Sequence, residues 1–205
     1  VSVYVQLDGP DGCGKSSQAA ALVEWLRAQG RQVLHVREPG STPVGEALRN
    51  LLLSPATGHL QPVTEALLFA AARAELVAQQ IAPALARGVV VVAERGYLST
   101  LVYQGLAAAP ALEPAWIFEL TRAVHGACLP DAVFVLDVGA EAAARRRADR
   151  AGDRIEARPA DYHARVRDGY RRAAAMDPRA RLLDAERPFD AVQHDLRAAL
   201  SELLA

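Results

Sequence analysis

Apolar residues gather along the chain in five short runs: VSVYVQL (1–7), RQVLHVR (31–37), GVVVVAE (88–94), DAVFVLDV (131–138) and ARLLDA (180–185). Each run reads as a β-strand, and the third and fourth are nearly unbroken, the pattern of strands covered on both faces. Between the runs, apolar positions recur every three or four residues. In KSSQAAALVEWLRAQG, for example, Ala19, Val23 and Leu26 form one stripe and Gly30 supplies a stop signal. Alternating strand and helix predicts a parallel sheet flanked by helices, with ligands bound beyond the carboxyl ends of the strands.

The stretch after the first run carries chemistry. Gly9, Gly14, Lys15 and Ser16 satisfy G-x-x-x-x-G-K-[ST] directly between a strand and a helix. Glycines let backbone N–H groups close around a phosphate, the helix N-terminus adds positive potential, and the serine hydroxyl reaches a magnesium ion. The whole loop (Gly9, Pro10, Asp11, Gly12, Cys13, Gly14, Lys15, Ser16, Ser17) is expected to hold the phosphates of a nucleotide, which by itself does not separate a motor, a GTPase and a small-molecule kinase. Lys15 is the only lysine, every other basic position being arginine. A compact ammonium on a flexible stem fits a tight phosphate loop where a broad planar guanidinium does not.

Composition narrows the remaining possibilities. The 205 residues are 51% hydrophobic, enough for one full core, and a single domain spanning 1–205 is expected. A net charge of −1 gives no global field of the kind that steers proteins onto nucleic acid or an anionic membrane. Cys13 and Cys128 fit neither a disulfide framework nor a thiolate zinc site. With no basic, apolar leader and no apolar run of membrane-spanning length, a soluble, cytoplasmic protein is expected.

Four more segments follow in order: REPGSTPVGEALRNLLL, TEALLFAAARAELV, ERGYLSTLVYQG and RRRADRAGDRIEARPADYHARVRDGY. Together with the phosphate loop they resemble the bacterial thymidylate kinases, from the loop to about Tyr170. The resemblance implies an α/β P-loop nucleoside monophosphate kinase fold: a five-stranded parallel sheet flanked by helices, with a lid at about 145–160. It implies transfer of the γ-phosphate of ATP to dTMP, giving dTDP, with Mg2+ as cofactor and a homodimer as the assembly. ATP and dTMP are then the expected partners, with no nucleic acid and no membrane.

Individual residues acquire expected roles. Phe69 and Arg73 are four apart on a predicted helix and share one face; the resemblance implies that the ring stacks on thymine and the arginine hydrogen-bonds the base. Thr100, Tyr103 and Gln104 offer hydroxyls and an amide to one surface, placed by resemblance around base and sugar. Arg95, at the end of the third strand, can hold a monophosphate bidentately, and Glu94 beside it is expected to serve the metal together with Ser16. By resemblance Arg37, Glu38 and Arg49 lie near the acceptor, which Asp11 also faces.

The expected catalytic set is Lys15, Arg95, Asp11 and two lid arginines. Some family members carry an arginine in the phosphate loop, and others have small residues there and basic lid residues instead. Gly12 and Cys13 point to the second arrangement, with Arg150 and Arg154 over the transferring group and the run Arg145 to Arg147 on a helix surface.

Two departures stand out: Glu94-Arg95-Gly96 replaces the family's Asp-Arg followed by an aromatic, and Ser41 replaces the second glycine of REPGGT. Glu38 and the pair Glu94-Arg95 also suit a deoxynucleoside kinase, and the departures at 94 and 96 suit a nucleotide-binding homologue without activity. The ordered series LLFAA-x-R, YQG and DRIE favours the monophosphate kinase.

Overall fold

A computed structural model describes residues 1–147 and 153–205. All five expected strands form, as β1 (Tyr4–Asp8), β2 (Val33–Arg37), β3 (Val90–Glu94), β4 (Ala132–Asp137) and β5 (Ala180–Asp184). They pair in parallel in the order β2-β3-β1-β4-β5. The central strands β1, β3 and β4 are buried almost throughout, whereas the edge strands β2 and β5 are half-exposed. That matches their sequences, since only a strand covered on both faces reads as a continuous apolar run.

Nine helices surround the sheet among the described residues: α1 (Lys15–Ala28), α2 (Pro43–Leu53), α3 (Pro62–Leu76), α4 (Ala82–Ala86), α5 (Tyr97–Thr100), α6 (Pro114–His125), α7 (Ala140–Arg147), α8 (Ala160–Met176) and α9 (Phe189–Leu204). On one face Val5, Leu7, Val90, Val92 and Phe134 pack with Leu22 and Leu26 of α1 and Leu196 of α9. On the other, Val133 and Val135 meet α8 and the segment from Tyr97 to Ala107, while Val91 and Ala93 meet Leu76, Ile81 and Ala84. The period-two alternation of a strand distributes its side chains between these two layers. Truncating the fully buried Phe134 would cost about 3–5 kcal/mol.

Two turns depart from plain α-helix. Val77–Ile81 joins α3 to α4 as a π-turn, and Leu101–Leu106 continues α5 as another. The first precedes Pro83, which has no N–H to continue the ladder. The second carries Tyr103 and Gln104 and closes on a bond of 2.8 Å from the Ala107 N–H to the Val102 carbonyl. The chain runs from β1 to edge strand β2, returns to β3 and crosses to β4 and β5. The carboxyl ends of β1 and β3 therefore frame a crevice at the middle of the sheet.

His125, at the end of α6, is buried beneath this arrangement. Its Nδ1–H donates to the Thr121 carbonyl at 3.0 Å and its Nε2 has no partner. Burial, and secondarily the charge of Arg73, push the imidazole down to about 4 from 6.5. Below pH 6.5 the unfolded chain binds a proton here that the folded chain refuses until about pH 4. This contribution to stability is therefore complete above pH 6.5 and is lost as pH falls through that window. Acidification from pH 7 to about 4.5 should destabilise the native chain by roughly 2–3 kcal/mol more than a His125→Gln variant, read from urea melts at each pH. Parallel losses in the two proteins would contradict the assignment.

Candidate active site

A cleft of about 630 Å³ opens at the carboxyl ends of β1, β2 and β3. Its floor is the loop between β1 and α1. Gly9 has φ 137°, and a Cβ there would sit 2.6 Å from the Leu136 carbonyl oxygen, so only glycine fits. Gly14, with φ 95°, turns the chain into α1, whose first residues are Lys15 and Ser16. Lys15 Nζ donates to the carbonyls of Gly9 and Pro10, each at 2.8 Å, and lies 3.5 Å from Cys13 Sγ. Its ammonium thus sits inside the ring of the loop, facing the cleft.

Ser16 Oγ donates to Glu94 Oε2, and the other oxygen of Glu94 lies 3.0 Å from His35 Nε2 on β2. Burial works against the charged carboxylate, but the hydrogen bonds from His35 and Ser16 outweigh it and hold Glu94 below the usual range. The longer side chain at 94 thus reaches Ser16 with a lateral brace from the neighbouring strand. His35 was not foreseen from sequence; the register that sets β2 beside β3 brings it there.

Arg95 projects from the end of β3 with φ 69°, a left-handed conformation that costs about 1–3 kcal/mol in a non-glycine residue. Surrounding bonds hold it there. Its guanidinium donates to Asp11, to Ser99 Oγ at 3.1 Å and to the Tyr170 hydroxyl at 3.3 Å, and it lies 5.6 Å from the centre of the Tyr103 ring. Tyr103 in turn donates to Asp11 at 3.2 Å. Asp11, Arg95 and Tyr103, predicted separately, form one connected group between the phosphate loop and the π-turn.

Sequence reading overlooked Asp8, at the end of β1. It is fully buried and accepts from the Gly9 N–H at 2.9 Å, Ser99 Oγ at 2.7 Å, the Ser99 N–H at 3.0 Å and the Tyr170 hydroxyl at 2.8 Å. A buried carboxylate with four donors locks three elements together.

The other end of the cleft is lined by Glu38, Phe69, Thr100 and Gln104. Arg73, 3% exposed, donates from Nε to Glu38 Oε2 at 2.5 Å and from Nη2 to Thr100 Oγ1 at 3.3 Å. Burial raises the Glu38 carboxyl, and the Arg73 charge pulls against that rise. Arg49 donates to the Pro39 carbonyl at 2.9 Å, and Arg37 pairs with Glu46 at 3.1 Å. Ser41, where the family has glycine, adopts φ 66°. Its hydroxyl accepts from the Arg37 N–H at 2.9 Å and donates to the Arg37 carbonyl at 3.1 Å, offsetting the strain.

The arginines near the expected lid are arranged differently from the sequence reading. Arg150 lies outside the described residues, as does the side chain of Arg147. Arg154, expected over the transferring group, is turned away from the cleft. It donates to the Leu52 carbonyl at 2.7 Å and pairs with Glu65 at 2.8 Å. Arg158 joins the same carboxylate at 2.6 Å. Arg145 is on the surface, as expected, beside Glu141. Arg146 is exposed too, but its guanidinium donates to the carbonyls of Cys13 at 3.4 Å and Ala185 at 3.1 Å, at the rim of the cleft. The helical phase of α7 separates these two neighbours.

A doubly wound sheet with a phosphate loop facing a second, aromatic and arginine-lined pocket defines a P-loop kinase of the nucleoside monophosphate class. The family model for thymidylate kinase matches residues 7–196. A thymidylate kinase from Symbiobacterium thermophilum is 42% identical over 205 residues, covering 100% of this chain and 95% of the relative. One from Thermomicrobium roseum is 44% identical over 207 residues, covering 100% and 97%. The crystal structure of thymidylate kinase from Ehrlichia chaffeensis superposes with a TM-score of 0.79 at 28% identity, covering 98% of each chain. The chain belongs to the thymidylate kinase family.

Gly96 also has a structural reason. A Cβ at that position would overlap the side-chain amide of Gln6, a fully buried β1 residue whose Nε2 donates to the Tyr4 hydroxyl at 2.5 Å. The space beside Arg95 is filled from the adjacent strand. Gly96→Ala should therefore lose about 1–3 kcal/mol, and Gln6→Ala in the same chain should recover at least about 1 kcal/mol of it. Additive losses in denaturant melts would contradict this coupling.

Proposed function

We infer that this chain transfers the γ-phosphate of ATP to dTMP, giving dTDP. The observation that carries the reading is the single cleft shared by Lys15 and Ser16 at one end and Phe69, Thr100 and Gln104 at the other, with Arg95 and Asp11 between them. ATP is placed with its phosphates on the loop and on the N–H groups opening α1. The acceptor is placed with its base against Phe69 and Arg73 and its phosphate toward Arg95.

A nucleoside monophosphate already offers an anionic oxygen, so transfer needs alignment and charge stabilisation rather than a strong base. Lys15 serves the β- and γ-phosphates, and Arg95 holds the acceptor phosphate. Arg146, reaching over the loop from α7, is assigned to the ATP side. Ser16 and Glu94 are hard oxygen donors already brought together, a set suited to Mg2+ shared with nucleotide phosphates. Mg2+ bound there supplies neutralisation of phosphate charge. Among the described residues no cluster of three or more His, Cys, Asp or Glu could hold a metal unaided, which fits a site completed by substrate.

A homodimer is part of the reading. Val44 and Leu51 of α2 and Val63 and Leu67 of α3 are exposed apolar residues on two helices packed together, which supports pairing with a second copy. Sedimentation at tens of micromolar should give twice the 21.9 kDa chain mass, and a monomer would remove this part. Among the described residues no helix is long and apolar enough to cross a membrane.

A coupled assay tests the activity with ATP and, separately, dTMP, thymidine or no acceptor. Turnover is expected with dTMP alone, and Lys15→Ala should lower kcat at least about a hundredfold while the melting temperature holds within a few degrees. Turnover of thymidine in place of dTMP would reassign the chain to nucleoside phosphorylation; nucleotide binding without turnover would make it a binding protein.

A further inference from the structure

Glu65 lies on α3 one helical turn before Phe69 and two before Arg73, so all three share a face. It is 1% exposed and both its oxygens are engaged. Oε1 accepts from Arg154 at 2.8 Å and Arg158 at 2.6 Å, while Oε2 accepts from Gln104 Nε2 at 2.9 Å. A carboxylate between two guanidiniums accepts and cannot donate, so the Gln104 amide must present its NH2 to Glu65. Its Oε1 then points the other way. Gln104 is 1% exposed and forms part of the cleft wall, and its Oε1 is buried without a partner. A buried acceptor left unmatched is costly and calls for a donor.

We propose that Glu65 is a specificity-determining positioning residue: it fixes the Gln104 amide so that the pocket shows an acceptor to the ring nitrogen of the acceptor base. This rests on the reading of the cleft as the dTMP site. A thymine ring carries a hydrogen on N3 and meets that acceptor; a cytosine ring carries a lone pair there and repels it. The neighbouring 4-oxo group of thymine, which cytosine replaces with an amino donor, lies on the same edge of the ring. Without a fixed carboxylate at 65 the amide could rotate and suit either ring. Arg154 and Arg158 hold Glu65 in place from the segment that begins at Asp153, so the expected lid arginine Arg154 contributes to base selection through Glu65.

The test compares dTMP with 5-methyl-dCMP, which differ only on the edge facing Gln104, in the wild-type protein and in Glu65→Gln. A carboxamide at 65 can donate or accept, releasing the Gln104 amide. The wild type should prefer dTMP by at least about a thousandfold in kcat/KM, and the variant should lose at least about tenfold of that preference, with KM for ATP changed less than about threefold. A folded variant with preference unchanged and both substrates weakened in parallel would reduce Glu65 to packing and overturn the proposal while leaving the kinase reading intact. A wild type inactive on dTMP would overturn both. If Glu65→Gln does not fold, the wild type answers alone: the side-chain N–H of Gln104, followed by nitrogen-15 NMR with selective labelling, should exchange slowly with solvent in the free protein. Fast exchange would show that the bond to Glu65 is absent and overturn the proposal.

Discussion

The buried carboxylate of Asp8 is the constraint on which the site depends. A charge removed from water at the end of the central strand must be matched by donors or it destabilises the fold by several kcal/mol. Here the donors come from three places: the first residue of the phosphate loop, Ser99 beyond β3, and Tyr170 on α8. Satisfying Asp8 therefore sets where the loop begins, where the acceptor-side helix begins and how α8 docks. Ser99 and Tyr170 then touch Arg95, so the guanidinium assigned to the acceptor phosphate is held by the groups that neutralise Asp8.

The acceptor end extends the same logic with two further buried carboxylates. Glu38 meets Arg73, and Glu65 meets Arg154, Arg158 and Gln104. An apolar replacement would often be as stable as a buried ion pair, but it would leave the direction of each hydrogen-bonding group unspecified. Fixed directions are what a pocket needs to distinguish rings of nearly equal shape. In the proposed reading Phe69 supplies the apolar contact, and the polar frame around it supplies the discrimination.

Much of this was legible in the sequence, for physical reasons that also mark where reading stops. Strands β3 and β4 announced themselves because burial on both faces demands continuous apolar residues. The phosphate loop did so because a helix N-terminus closing on phosphate admits few residue types, and the spacing of Phe69 and Arg73 declared a shared helix face. Carrying that spacing back one turn would have reached Glu65. Asp8 and His35 carried no such signal, since a lone polar residue on a strand acquires meaning only from its neighbours across the sheet. Arg154 was expected over the cleft and lies elsewhere for a related reason. Whether Arg146 or Arg154 faces the cleft depends on the phase of α7 and on an ion pair with Glu65, 89 positions away from Arg154 in the chain.

The residues that break the family pattern also follow neighbours across the sheet. Glu94 is longer than the usual aspartate, and His35 on β2 braces it so that its other oxygen still meets Ser16. Gly96 lacks the usual aromatic, and Gln6 on β1 occupies the volume directly over its Cα. Ser41 takes a glycine conformation and repays the strain with two hydrogen bonds to Arg37. A site drifting out of use would accumulate substitutions whose neighbours had not changed with them, leaving gaps in the packing beside the phosphate loop. Each departure here has a neighbour that accommodates it, and Ser16, Glu94 and Arg95 still line one cleft. That pairing argues for a working kinase whose phosphate-facing geometry is reached by a different set of side chains.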